Sequence, residues 1–187
     1  MASRPHALSG IAAMAGNAAV PVVIANNTML SALWAYWRDK RGSRSMPCRS
    51  DIDPTEIPRL LPNLQLVERI GGRFRYRLSG TAIVAAYGRE LTGKFVDEVI
   101  PRHRLAIAEM HYTTVYETRR AIFVRNKYTT TKSIDLIASR CVLPLSEDDG
   151  NVTMLLMAQT FERGFQVVAG LASGSTLAPY LGEIEFL

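Results

Sequence analysis

Residues 64–79, LQLVERI-GG-RFRYRLS, decide how this chain is read. Gly71-Gly72 can supply the two positive φ angles of a tight hairpin turn, and each flank is a short run of apolar and β-forming residues. In the second run Phe74, Tyr76 and Leu78 alternate with Arg73, Arg75 and Arg77. That period of two predicts a strand with one buried and one wet face. An antiparallel hairpin is the starting point.

Downstream, AIVAAY (82–87) reads as a short helix capped by Thr81 and stopped by Gly88, with a second turn at Leu91-Thr92-Gly93. Residues 101–120, opening at Pro101, form the longest predicted helix, with Leu105, Ala108, Tyr112, Val115 and Tyr116 on one face. Three strands follow, at 121–129, 133–145 and 151–161, the last two joined by SEDDG. Long strands joined by short turns imply an antiparallel sheet in an α+β fold.

Upstream, Leu30, Leu33, Trp34 and Trp37 fall at i, i+3, i+4 and i+7 of a helix capped by Asn26 or Asn27 and ended by Gly42. This apolar stripe must be covered, either by the domain's own sheet or by a second copy of the chain. Asp53-Pro54-Thr55-Glu56 opens a short helix, Asp53 as N-cap and Pro54 at its first position, with Ile57, Leu60 and Leu61 on the buried side. Residues 1–26 read as a flexible leader. A secretory signal is considered for 7–25, but Gly10, Gly16, Asn17 and Pro21 interrupt the run. The domain is placed at 27–163, and the tail 164–187 is left without an element.

The chain has 187 residues, is 48% hydrophobic and 21% charged, and carries 13 Gly and 9 Pro, which excludes wholesale disorder and coiled-coil or collagen rods. Its net charge of +5 lies entirely within residues 1–50, mostly in Arg38, Lys40, Arg41, Arg44 and Arg49. A nucleic-acid binder is expected to carry its basic stripe on the folded domain, so this surplus reads as solvated charge at a helix end. Cys48 and Cys141 lack any CxxC or Cys/His spacing, which argues against zinc and for plain thiols in a reducing compartment. No P-loop, G-x-G-x-x-G, G-x-S-x-G or H-E-x-x-H motif occurs.

The order of elements resembles the PAS fold. So does local text: Gly80-Thr81, then Tyr87-Gly88-Arg89-Glu90-Leu91-Thr92-Gly93-Lys94, then FVDEVIP (95–101). A subfamily of bacterial PAS proteins is similar in Trp37 with the basic residues after it and in Pro47-x-Arg49-x-Asp51-Ile52-Asp53-Pro54. The likeness extends to Ile57-Pro58-x-Leu60-Leu61-Pro62 and Phe74–Thr81, and covers about residues 30–163. The resemblance implies a five-stranded antiparallel sheet in order 2-1-5-4-3 with helices over one face, here joined by the N-terminal amphipathic helix. It also implies a non-catalytic sensory or signal-transducing module, often a homodimer, whose output is the binding of a signalling partner; the plain thiols and the interrupted apolar run 7–25 place it in the cytoplasm without a membrane segment.

The cofactor of such a module is unknown from sequence. Haem would need a His on the long helix; His103 points to solvent on the helical wheel and His111 sits on the margin of the buried face. Flavin photosensors carry a reactive Cys in the first helices after the second strand, where this chain has Ala and Val. Neither group is therefore expected. Tyr76, Tyr87, His111 and Tyr112 are the candidate ligand contacts, because their elements line the space between sheet and helices in a PAS fold and a hydroxyl on an apolar wall orients a ligand. Leu30, Leu33, Trp34 and Trp37 are the candidate dimer contact. Two alternatives stay open: a small cone-shaped α+β isomerase or dehydratase, needing a pocket Asp or His, for which Asp97 and Asp135 are weighed, and a nucleic-acid binder using the basic cluster.

Overall fold

A computed structural model describes residues 24–129, 135–147, 150–163 and 183–186. Helix α1 (Thr28–Arg41) is followed by three 3-10 turns and then by strands β1 (Leu64–Ile70) and β2 (Arg73–Ser79). Helices α2 (Thr81–Tyr87), α3 (Val96–Val99) and α4 (Arg102–Thr118) come next. Strands β3 (Ile122–Thr129), β4 (Asp135–Leu145), β5 (Met154–Arg163) and β6 (Glu183–Phe186) complete the described chain. All neighbouring strands are antiparallel, in the order β2-β1-β5-β4-β3-β6. The five expected strands thus stand in the expected order. The sixth comes from the tail that sequence left unassigned, and pairs with β3.

The hairpin forms as its text requires. Gly71 and Gly72 have φ of 56° and 82°, the doubly positive turn that matches strand twist. Its alternation breaks at one point. Leu66 lies opposite Leu78 but Val67 lies opposite Tyr76, so Arg77 is an extra residue in β2. This bulge turns Leu78 outward, where it is 44% exposed, correcting its assignment to the buried face. Leu61 is likewise exposed, because Leu61–Asn63 form a 3-10 turn and not the continuing face of a helix.

Gly80 joins the hairpin to α2. Its N–H donates to the Leu64 carbonyl at 2.7 Å, and its own carbonyl accepts from Ile83 and Val84. Gly80, not Thr81, is the N-cap of α2, and a Cβ at this position would run into the carbonyl oxygens of Leu61 and Pro62. Asp53 does cap as expected, its carboxylate accepting from Thr55 N at 2.8 Å, although the element is a single 3-10 turn. Pro58 keeps it from growing.

The sheet is covered on both faces. Phe123 and Cys141 are register partners on one face, and there Trp34 meets Phe123 edge-on at 5.2 Å. Trp37 stacks on Trp34 at 5.4 Å and donates its indole N–H to the Pro144 carbonyl at 2.9 Å. Asn27 caps α1 through Leu30 N and ties it to Thr160 Oγ1 at 2.7 Å. Leu30, Leu33, Trp34 and Trp37 are all buried by the chain's own sheet. They are therefore not available as a dimer contact, and self-association would have to use another surface. Ile24, placed in the leader by the sequence reading, is also fully buried, while residues 1–23 and 164–182 of the predicted leader and tail lie outside the described residues. Helices α2, α3 and α4 cover the other face.

The tryptophan pair yields a sharp test. Truncating a buried Trp costs about 3–5 kcal/mol, against a total stability of about 5–15 kcal/mol. Trp34→Glu with Trp37→Glu is expected to abolish the cooperative unfolding transition seen by circular dichroism. A folded double variant would show that α1 is dispensable to the sheet.

Candidate functional site

Strands β4 and β5 are buried along almost their whole described length, from Ala138 to Leu145 and from Met154 to Gln159. Any polar residue there is enclosed whichever way it points. Arg140 and Gln159 are such residues, direct register partners on adjacent strands, 7% and 3% exposed. They share the face turned toward α2–α4, since Cys141 and Ala158 occupy the α1 face one residue further along each strand.

Above this pair stands α4, whose buried stripe is Ala108, His111, Tyr112 and Val115. His111 is 2% exposed, and neither Nδ1 nor Nε2 has a hydrogen-bond partner. Burial first, and the Arg140 charge second, push its pKa down to about 4, so the imidazole is neutral at physiological pH. Tyr76 reaches the same space from β2, 1% exposed. Burial raises its pKa well above that of free tyrosine, aided by the Tyr112 and Tyr87 rings nearby and a hydrogen bond with the Tyr112 hydroxyl; Arg140 acts weakly in the opposite sense. Tyr112 packs edge-on against Phe74 at 5.4 Å, and half-buried Tyr87 against Phe161 at 6.4 Å.

The structure therefore brings the four predicted ligand contacts, Tyr76, Tyr87, His111 and Tyr112, to one region between the sheet and α2–α4. His111 is not at the margin but inside. The helical wheel centred the face on Leu105, Ala108, Tyr112 and Val115; Leu105 is only partly buried, and the buried stripe takes in His111 instead. His103 is exposed as expected. Sequence reading missed Arg140 and Gln159. Their signal was positional: each interrupts an apolar period-two face, Ala138-Arg140-Val142 and Leu155-Met157-Gln159, in a strand too central to have a wet side.

Other sequence candidates fall elsewhere. Cys141 faces α1, fully buried, its thiol pushed up to about 12 by burial. Cys48 lies in the segment after α1, just ahead of the first 3-10 turn, where its backbone forms a parallel β-bridge with Ser146. Asp97 makes a bidentate pair with Arg73 at 2.7 and 2.9 Å on an open groove between β2, α3 and α4, and this arginine holds its carboxyl below the usual range. Asp135 begins β4, and its side chain lies outside the described part. The basic cluster is tied into the fold: Lys40 pairs with Glu56 at 2.7 Å and Arg44 with Asp51 at 2.6 Å, while Arg38 and Arg41 lie over Trp34 and Trp37. Asp51 also accepts from Cys48 N, fixing the segment that docks on β4 through Arg49 N and the Ser146 carbonyl. Among the described residues no group of three His, Cys, Asp or Glu could hold a metal, and no helix is long and apolar enough to cross a membrane.

An antiparallel sheet of this order, with α1 on one face and α2–α4 on the other, defines the fold class as α+β. The family model described as PAS domain matches residues 25–158, and the chain belongs to that family. One similar solved structure comes from work on a flavin analogue and the mechanism of a light-oxygen-voltage domain. It aligns at TM-score 0.43 and 14% identity, covering 58% of this chain and 82% of that one. No curated protein matches.

The neutral His111 gives a pH prediction. Its folded pKa of about 4 lies below the ordinary 6.5, so the unfolded chain binds a proton that the folded chain refuses. Stability contributed above 6.5 is lost as pH falls toward 4, by about 1.4 kcal/mol per pH unit. Urea unfolding of the wild type is expected to weaken between about pH 7 and 5.5 by about 1.4 kcal/mol more than that of His111→Gln. Parallel pH dependence of the two proteins would contradict a buried neutral imidazole.

Proposed function

We propose that this chain is a non-catalytic sensory interaction module in which a small ligand, held between the sheet and α2–α4, changes how the domain binds a signalling partner. The observation that carries this reading is the enclosed polar group of Tyr76, His111, Tyr112 and Arg140, in which His111 has two ring nitrogens without partners. Leaving buried polar atoms unsatisfied costs about 1–3 kcal/mol each, and a ligand that supplies the missing partners recovers that cost. Membership of the PAS-domain family, whose members are sensory and signalling modules, supports the same reading.

The residue types also favour binding over turnover. Tyr76, His111, Tyr112, Arg140 and Gln159 include no serine, cysteine or carboxylate, so the group contains no nucleophile–base pair of the hydrolytic kind. A change in occupancy reaches the surface through α4, whose far side is wet at Met110 and Glu117. In a thermal-shift screen of the full chain against a library of small metabolites, at least one compound is expected to raise Tm. The same compound should slow amide exchange in α2 and α4. A library without any stabilising compound would overturn ligand modulation.

A further inference from the structure

We propose that two copies of this chain associate through the open groove beside α4, the two α4 helices lying antiparallel so that Arg102 of each protomer meets the partner's Glu109. This interface lies on a different surface from the enclosed polar group and does not depend on a ligand.

The groove has a volume of about 660 Å³ and is walled on one side by β2 and α3 and on the other by Arg102, Leu105, Ala106 and Glu109 of α4. On the first wall the charges are matched: Arg73 holds Asp97 through two hydrogen bonds and reaches Glu98 at 3.4 Å. The α4 wall differs. Among the described residues neither Arg102 nor Glu109 has a side-chain partner. The helix itself offers them none, since Leu105 and Ala106 stand three and four positions from both, and Tyr112 and Thr113 follow Glu109 at the same spacing.

These four residues fall at i, i+3, i+4 and i+7, a single stripe of the helix. Their order is self-complementary. A twofold axis between Leu105 and Ala106 sets Arg102 against the partner's Glu109, Glu109 against the partner's Arg102, and Leu105 against the partner's Ala106. An interface between identical surfaces requires this matching of i to j and j to i. Within one helix, charges seven residues apart are separated by about 10.5 Å and do not meet. A uniformly acidic or basic partner would leave one of the two facing its own sign, so a second copy fits the stripe better. Ala106, small and exposed, lets two helices approach closely, and half-buried Leu105 and Met110, 45% exposed, add apolar contact. Exposed ion pairs contribute little affinity. The apolar residues therefore supply the association, and the charges set its direction and register.

The test is sedimentation equilibrium of the full chain and of two charge reversals, Arg102→Glu and Glu109→Arg, each checked for folding by circular dichroism. The wild type is expected to dimerise. Each reversal places like charges in both symmetry-related contacts and is expected to weaken dimerisation about tenfold or more. Mixed in equal amounts, the two variants carry opposite charges at these positions and should form a heterodimer at least as tight as the wild-type dimer. The double variant Arg102→Glu/Glu109→Arg should recover self-association. In the wild type, the Met110 methyl resonance should shift with protein concentration, which decides the matter if a reversal fails to fold. A wild type still monomeric at about 1 mM, a dimer indifferent to both folded reversals, or a Met110 resonance unmoved by dimerisation overturns the proposal. So does the absence of a heterodimer from the mixed variants.

Discussion

From Ala138 to Leu145 and from Met154 to Gln159, strands β4 and β5 have no wet face. Each is flanked by hydrogen-bonded neighbours and sandwiched between α1 on one side and α2–α4 on the other, so the side chains of these two runs are removed from water. The remaining architecture follows from meeting that demand. The α1 stripe, with its stacked indoles, closes one face over Phe123 and Cys141, and the buried stripe of α4 closes the other. Dispersion and hydrophobic burial supply the stability, since each large apolar side chain contributes roughly 1.5–3 kcal/mol. The surface ion pairs, Arg73 with Asp97 and Lys40 with Glu56, add little and serve to fix loops.

The same enclosure turns a polar substitution in the central strands into chemistry. Placed on an edge strand, Arg140 would lie along the surface. Placed between β3 and β5, it is carried inside with Gln159 beside it and His111 above. Apolar residues there would pack more cheaply, because desolvating a guanidinium costs several kcal/mol.

Much of the fold was legible in the sequence because local signals and tertiary structure agree. Gly71-Gly72 demanded a doubly positive turn, Asn27 and Gly42 bounded α1, and five strands took the order that the family resemblance implied. Legibility failed where a local rule was overridden. The bulge at Arg77 reversed the face of Leu78, α2 takes its first hydrogen bonds from the Gly80 carbonyl so that Thr81 lies inside the helix, and the buried face of α4 includes His111, which the wheel placed at the margin. The tail strand β6 could not be read because a four-residue edge strand takes its identity from the partner it adds to. For the site, the tyrosines were visible as polar tips on the right elements. Arg140 was not, because a lone arginine in a strand looks solvated until the neighbours on both faces are known.

Exchange of the arginine Nε protons, followed by NMR with the Arg140 resonance assigned through Arg140→Lys, tests this enclosure most directly. If β4 is sealed on both faces, the Arg140 proton exchanges orders of magnitude more slowly than that of Arg77, whose side chain is 59% exposed. Equal exchange rates for the two would mean that Arg140 reaches water, and neither the closed sheet nor the buried site would stand.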